Sequence, residues 1–196
     1  MAQVVFSLSS HQRQTRVHSA SLGSNLLHRA SRISVFAGFL LLCACNPALN
    51  WRRVPLGDMA VTLPCKPDHT QRSLPWAGQA LEMEMVGCEA DGALFAASRI
   101  HLPPGADPSQ LQAQWQAASL QQMKAQGVPK LEPLTTHVPA MASQQIAADG
   151  QGSDGKALQA RLAWVVSGGD LYHLAVYAAR VSPEMAEPFF DGMNPQ

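Results

Sequence analysis

The chain has 196 residues, 46% of them hydrophobic and only 14% charged, with a formal net charge of zero. That length allows one domain with a sizeable core plus a leader. The neutral sum hides two halves, because residues 1–44 carry four Arg and no acid while residues 45–196 carry ten Lys/Arg and fourteen Asp/Glu. Neither half shows a basic stripe interleaved with aromatics, which excludes an electrostatic case for nucleic-acid binding.

The leader comes first. Arg29 and Arg32 precede an apolar run from Ile33 to Ala44. About twelve residues cannot span a bilayer, which needs about 20, but they suit the apolar region of a signal peptide. The run ends in Leu42-Cys43-Ala44-Cys45, which resembles a bacterial lipobox. The resemblance implies cleavage before Cys45, whose sulfur then carries diacylglycerol and whose amine carries a fatty acyl chain such as palmitate. Residues 1–44 are thus expected to be a lipoprotein signal peptide, 45–50 a tether, and 51–196 a single α+β domain. The leader is long, and an upstream overcall of the start, with translation beginning at Val17 or Leu27, would account for that. A mitochondrial transit peptide is the competing reading, since that class is also Arg- and Ser-rich and acid-poor.

With Cys43 lost and Cys45 acylated, Cys65 and Cys88 remain. An even pair in an oxidising compartment predicts a disulfide. Closing a loop of roughly 23 residues stabilises a fold by about 3 kcal/mol in the chain-entropy model. Two free buried thiols are the alternative.

Short strands are expected at Trp51–Val54 and Met59–Leu63. Pro64-Cys65-Lys66-Pro67 ends the second, because proline cannot donate to a ladder. A further strand is expected at Thr70–Leu74. From Gln79 to Glu89, Leu81, Met83 and Met85 alternate with Glu82 and Glu84, the pattern of a half-buried antiparallel strand. Asp91-Gly92 turns it back through Ala93–Leu102. Asp107 then caps a helix, with Pro108 at its first position and Gln110 at the third. The helix is expected to reach Gln126 with Gly127 just beyond it, and to bury Leu111, Trp115 and Ala118. Strands follow at Leu131–Val138 and Ser143–Ala148, then a glycine-rich turn over Asp149–Gly155. Alternation of Leu158, Ala160, Leu162, Trp164 and Val166, a Gly168-Gly169-Asp170 turn, and alternation of Tyr172, Leu174, Val176 and Ala178 make a hairpin. Ser182-Pro183-Glu184 opens a last helix, pinned by Phe189, Phe190 and Met193 despite Pro188 inside it. Hairpins dominate, so the sheet is expected to be antiparallel, with the helices on one face.

Leu63-Pro64-Cys65-Lys66-Pro67, Asp154-Gly155, Leu171-Tyr172-His173-Leu174-Ala175-Val176 and Phe189-Phe190-Asp191-Gly192 together resemble the PsbP/Mog1-like α/β/α sandwich group, over nearly all of residues 51–194. The resemblance implies that fold, and accessory or assembly roles more often than catalysis. Cys65 stands where glycine is frequent in that pattern.

Chemistry is sparse. His69, His101, His137 and His173 have no metal-ligand spacing, although His101 and His173 have room to converge in space. Glu82 and Glu84 share a strand face; paired carboxylates can do acid–base work or bind a cation, but neighbours on an exposed sheet face are the simpler reading. Asp149 and Asp154 lack the spacing of a Ca²⁺ loop. No serine sits in a nucleophile elbow. Trp51, close to Cys45, suits either a membrane interface or the core. The sequence therefore points to a non-enzymatic protein of the bacterial cell envelope, without cofactor or metal. Its lipid would hold it to a membrane, by preference the outer one since Asn46 is not Asp, and its domain would face the periplasm and an envelope partner. The alternative is a small-ligand-binding or enzymatic domain with a pocket between sheet and helices.

Overall fold

The computed structural model describes residues 49–134, 138 and 142–196. Cys45, His137 and the leader lie outside them. Among the described residues ten strands and two helices follow in the order β1 (Arg52–Leu56), β2 (Met59–Leu63), β3 (Asp68–Trp76), β4 (Gln79–Ala90), β5 (Ala93–His101), α1 (Pro108–Gln122), β6 (Gln126–Glu132), β7 (Ala142–Gln151), β8 (Ala157–Ser167), β9 (Asp170–Ala178), α2 (Pro183–Asp191) and β10 (Asn194–Pro195). Seven strands form one sheet in the order β3-β4-β5-β9-β8-β7-β6, and β1-β2-β10 form a small second sheet. Every pairing is antiparallel. The fold class is α+β.

Strand order follows from the turns. Gly57, Gly78, Gly92, Gly168 and Gly169 all take positive φ in the tight connections of successive hairpins, where a glycine meets no steric penalty. β5 and β9 are far apart in sequence yet adjacent in the sheet, so the closing pairing is non-local. β9 lies at the centre and is buried on both faces from Asp170 to Val176.

Side chains of one sheet face, including Val86, Phe95, Ala97, Val165, Leu174 and Val176, pack against the small sheet and against Met185, Phe189 and Phe190 of α2. Phe95 makes edge contacts with Phe189 at 5.7 Å and with Trp51 at 6.0 Å. Trp51 is therefore a core-edge residue, half-buried on Phe95. Ser182 caps α2 by accepting from the Met185 N–H, and the helix continues through Pro188.

Helix α1 is on the other face: Trp115 lies against His173, which alternates with the core-facing Tyr172 and Leu174. The helices thus flank the sheet from opposite sides, not from one side as the element order had implied. Trp115 and α2 are separated by the sheet itself. The N-cap of α1 is as the sequence indicates, with Asp107 accepting from the Ser109 N–H. Its end is earlier: Met123 is the C-cap and Lys124 takes φ 47. The carbonyl of Met123 accepts from the Gln151 N–H at 2.7 Å, which commits the chain to the sheet before Gly127. The helix buries Leu111 and partly Trp115, while Ala118 is exposed. Strand β6 starts five residues before its expected place and ends at Glu132; Val138 is buried but not in a strand. β7 runs on to Gln151, so the glycine-rich turn shrinks to its last four residues.

Cys65 and Cys88 form a disulfide. It ties the segment between β2 and β3 to the C-terminal end of β4, and so links the small sheet to the large one.

Candidate functional site

Two polar clusters stand out, one on each face of the large sheet. The first is built by register. Strands β5 and β9 place Arg99 opposite Tyr172 and His101 opposite Asp170. Because side chains alternate along a strand, all four project from one face. The carboxylate of Asp170 is 2% exposed and accepts from three donors. Arg99 Nε donates to Oδ2 at 2.6 Å, Tyr172 Oη donates to Oδ2 at 3.2 Å, and His101 Nδ1 meets Oδ1 at 2.8 Å. Arg99 also reaches Glu84 at 3.5 Å. Gly57, at φ 59 in the β1–β2 turn, lies against the Arg99 guanidinium where any Cβ would strike it.

The electrostatics follow from this geometry. The hydrogen bond and charge of Asp170 hold Arg99 protonated, above its ordinary value. Burial first, and then the Asp170 charge, push the Tyr172 phenol well above the ordinary tyrosine range. An ionised Asp170 can only accept, so it fixes the tautomer of His101 with the proton on Nδ1. A carboxylate orienting an imidazole in this way is the arrangement behind general-base catalysis. Here, however, Arg99 and Tyr172 occupy the same carboxylate, and the Gly57 turn caps Arg99. The cluster works as a latch. It joins the β8–β9 turn, β5, β4 and the small sheet at one end of the molecule.

The second cluster lies under α1. Trp164 and His173 are cross-strand partners on β8 and β9. Their rings stack at 4.8 Å and 26°, and Trp115 closes over the imidazole at 4.9 Å. Burial drives His173 down to about 3, so the ring is neutral at pH 7. Trp164 Nε1 and His173 Nε2 are buried without a hydrogen-bond partner among the described residues. Each such group costs about 1–3 kcal/mol when left unpaired.

The residues singled out from sequence are distributed as follows. Cys65 and Cys88 come together. Leu81, Met83 and Met85 are buried as their alternation implies; Glu84 joins the latch, and Glu82 remains exposed. His101 and His173 do not converge: they sit on opposite faces, His101 across from Asp170 and His173 across from Ser98. His69 is exposed on the edge strand β3. Asp149 pairs with Gln159 within the sheet, whereas Asp154 binds Lys156 in the turn. No group of potential metal ligands gathers among the described residues, and no helix there is long and apolar enough to cross a membrane. From sequence alone Asp170 reads as a turn residue. Its signal was an acid directly after Gly168-Gly169 at the mouth of an apolar strand, where a solvated residue is not needed.

No family model matches the chain, and no curated protein does. Among solved structures it is distantly similar to a Pseudomonas aeruginosa protein of unknown function, PA94, at 15% identity over 70% of this chain and 86% of that one, with a TM-score of 0.34. No family is assigned from that likeness.

Proposed function

We propose that this chain is a lipid-anchored protein of the bacterial cell envelope, held to the membrane through Cys45, whose α+β domain faces the periplasm and engages a protein or envelope partner without catalysing a reaction. The observation that carries the reading is the Cys65–Cys88 disulfide, placed downstream of a lipobox-like Leu42-Cys43-Ala44-Cys45. Disulfides persist in oxidising compartments such as the periplasm. A thioether diacylglycerol with an added acyl chain supplies the two or more chains that stable anchoring requires.

The layered arrangement, with a helix on each side of one antiparallel sheet, also supports membership of the PsbP/Mog1-like group. The non-catalytic reading takes Asp170, held by Arg99, His101 and Tyr172, as a structural tie between strands. The test is Cys45→Ser. A lipoprotein accumulates as uncleaved precursor when its acylated cysteine is replaced, and loses its membrane association. Normal maturation of the variant would refute the anchor.

A further inference from the structure

Two buried nitrogens point at something the fold itself does not provide. Trp164 is fully buried and His173 is 7% exposed, yet Trp164 Nε1 and His173 Nε2 lack partners among the described residues. Buried polar groups in native proteins are almost always paired. The two atoms belong to cross-strand neighbours on one sheet face, with Trp115 of α1 over them. That helix is lightly held. Leu111 is its one buried residue, and six of its fifteen residues are Gln. Besides the partly buried Trp115 on His173, its other ties are polar, Gln112 to Gln144 at 2.9 Å and Trp76 to Gln114 at 3.2 Å. Elements with few buried apolar contacts open at low cost.

We propose that the sheet face beneath α1 is a binding site for a small uncharged apolar molecule that carries one hydroxyl or carbonyl oxygen. The oxygen accepts the Trp164 indole N–H, a group that can only donate. The neutral imidazole complements either chemistry, accepting from a hydroxyl or donating to a carbonyl at Nε2. The apolar body rests on Met83, Ile100, Leu162 and Leu171, all buried. A carboxylate or phosphate does not fit. The buried polar residues of the described chain are Ser98, Gln145, Asp170 and His173, with no Lys or Arg among them, and an unpaired buried anion is strongly disfavoured. Entry requires α1 to lift on its Gln112 and Gln114 ties.

The test is a titration of the ¹⁵N-labelled protein with 4-butylphenol and, separately, with butylbenzene, following the indole N–H signals. The phenol is expected to shift the Trp164 signal and to bind at least about tenfold tighter than the hydrocarbon, the discrimination of one good hydrogen bond. Trp164→Phe keeps a ring in the stack and removes the N–H. With its fold checked by circular dichroism, it is expected to favour the phenol over the hydrocarbon by less than the wild type does, because only the His173 contact remains. Leu111→Ala provides a second handle: by loosening α1 it is expected to raise the association rate of the phenol. The proposal is overturned if the phenol leaves the Trp164 signal unmoved up to its solubility limit, or if the wild-type protein binds phenol and hydrocarbon alike.

Discussion

Replacing Asp170 by Asn tests whether the first cluster is a latch. The substitution is nearly isosteric but removes the charge that Arg99, His101 and Tyr172 share. A hydrogen bond to a charged group contributes about 1.5–3 kcal/mol. Arg99 keeps a quarter of its side chain in solvent, so the lower part of that range, about 2 kcal/mol, applies. The buried Tyr172 hydroxyl loses its good acceptor, adding about 1 kcal/mol. His101 is 72% exposed and adds little. The total of about 3 kcal/mol corresponds to a fall in Tm of roughly 6–12 °C for a domain of this size. Urea unfolding followed by circular dichroism measures the loss. A double-mutant cycle with Arg99→Leu assigns it, because the two changes should couple by about 2 kcal/mol. A loss under about 0.5 kcal/mol, or strict additivity of the two substitutions, would refute the latch.

Three further predictions concern the fold. His173 is held down to about 3 by burial, against about 6.5 in the unfolded chain. The unfolded state therefore binds the extra proton, and stability falls as pH drops from about 6.5 toward 3, by about 1.4 kcal/mol per unit. Between pH 6.5 and 5 the wild type should lose about 2 kcal/mol from this group, a component that His173→Phe removes; equal slopes in both proteins would contradict it. Reduction of Cys65–Cys88, or the double Ser variant, should lower stability by about 3 kcal/mol in chemical denaturation, and an unchanged midpoint would mean the cross-link constrains little. Gly57→Ala places a Cβ on a positive-φ residue and against Arg99. It should cost about 2 kcal/mol in the wild type and less in the Asp170→Asn background, where Arg99 is free to move.

Local signals carried much of the fold. Hairpin turns, the Asp107 and Ser182 caps, and the alternation of Leu81, Met83 and Met85 are written in a few adjacent residues, and the structure has them in those places. What depended on distant pairing was not legible. The side of the sheet taken by α1 is decided by Trp115 meeting His173, which is itself stacked on Trp164, contacts that no periodicity encodes. The early end of α1 is decided by Met123 binding Gln151, a tertiary contact that overrides the helix-compatible residues after it. The same holds for the site. Arg99, His101, Asp170 and Tyr172 become neighbours only once β5 and β9 are paired, across some seventy residues of chain. The disulfide was legible because cysteine counting needs no geometry, only a compartment and an even number.

The most direct test of the envelope-lipoprotein account is the intact mass of the native protein extracted from membranes, with and without reduction and alkylation. The account predicts a chain beginning at Cys45, heavier by its acyl groups, that gains two alkyl tags only after reduction. A chain that retains residues before Cys45, or begins there without added mass, would contradict it.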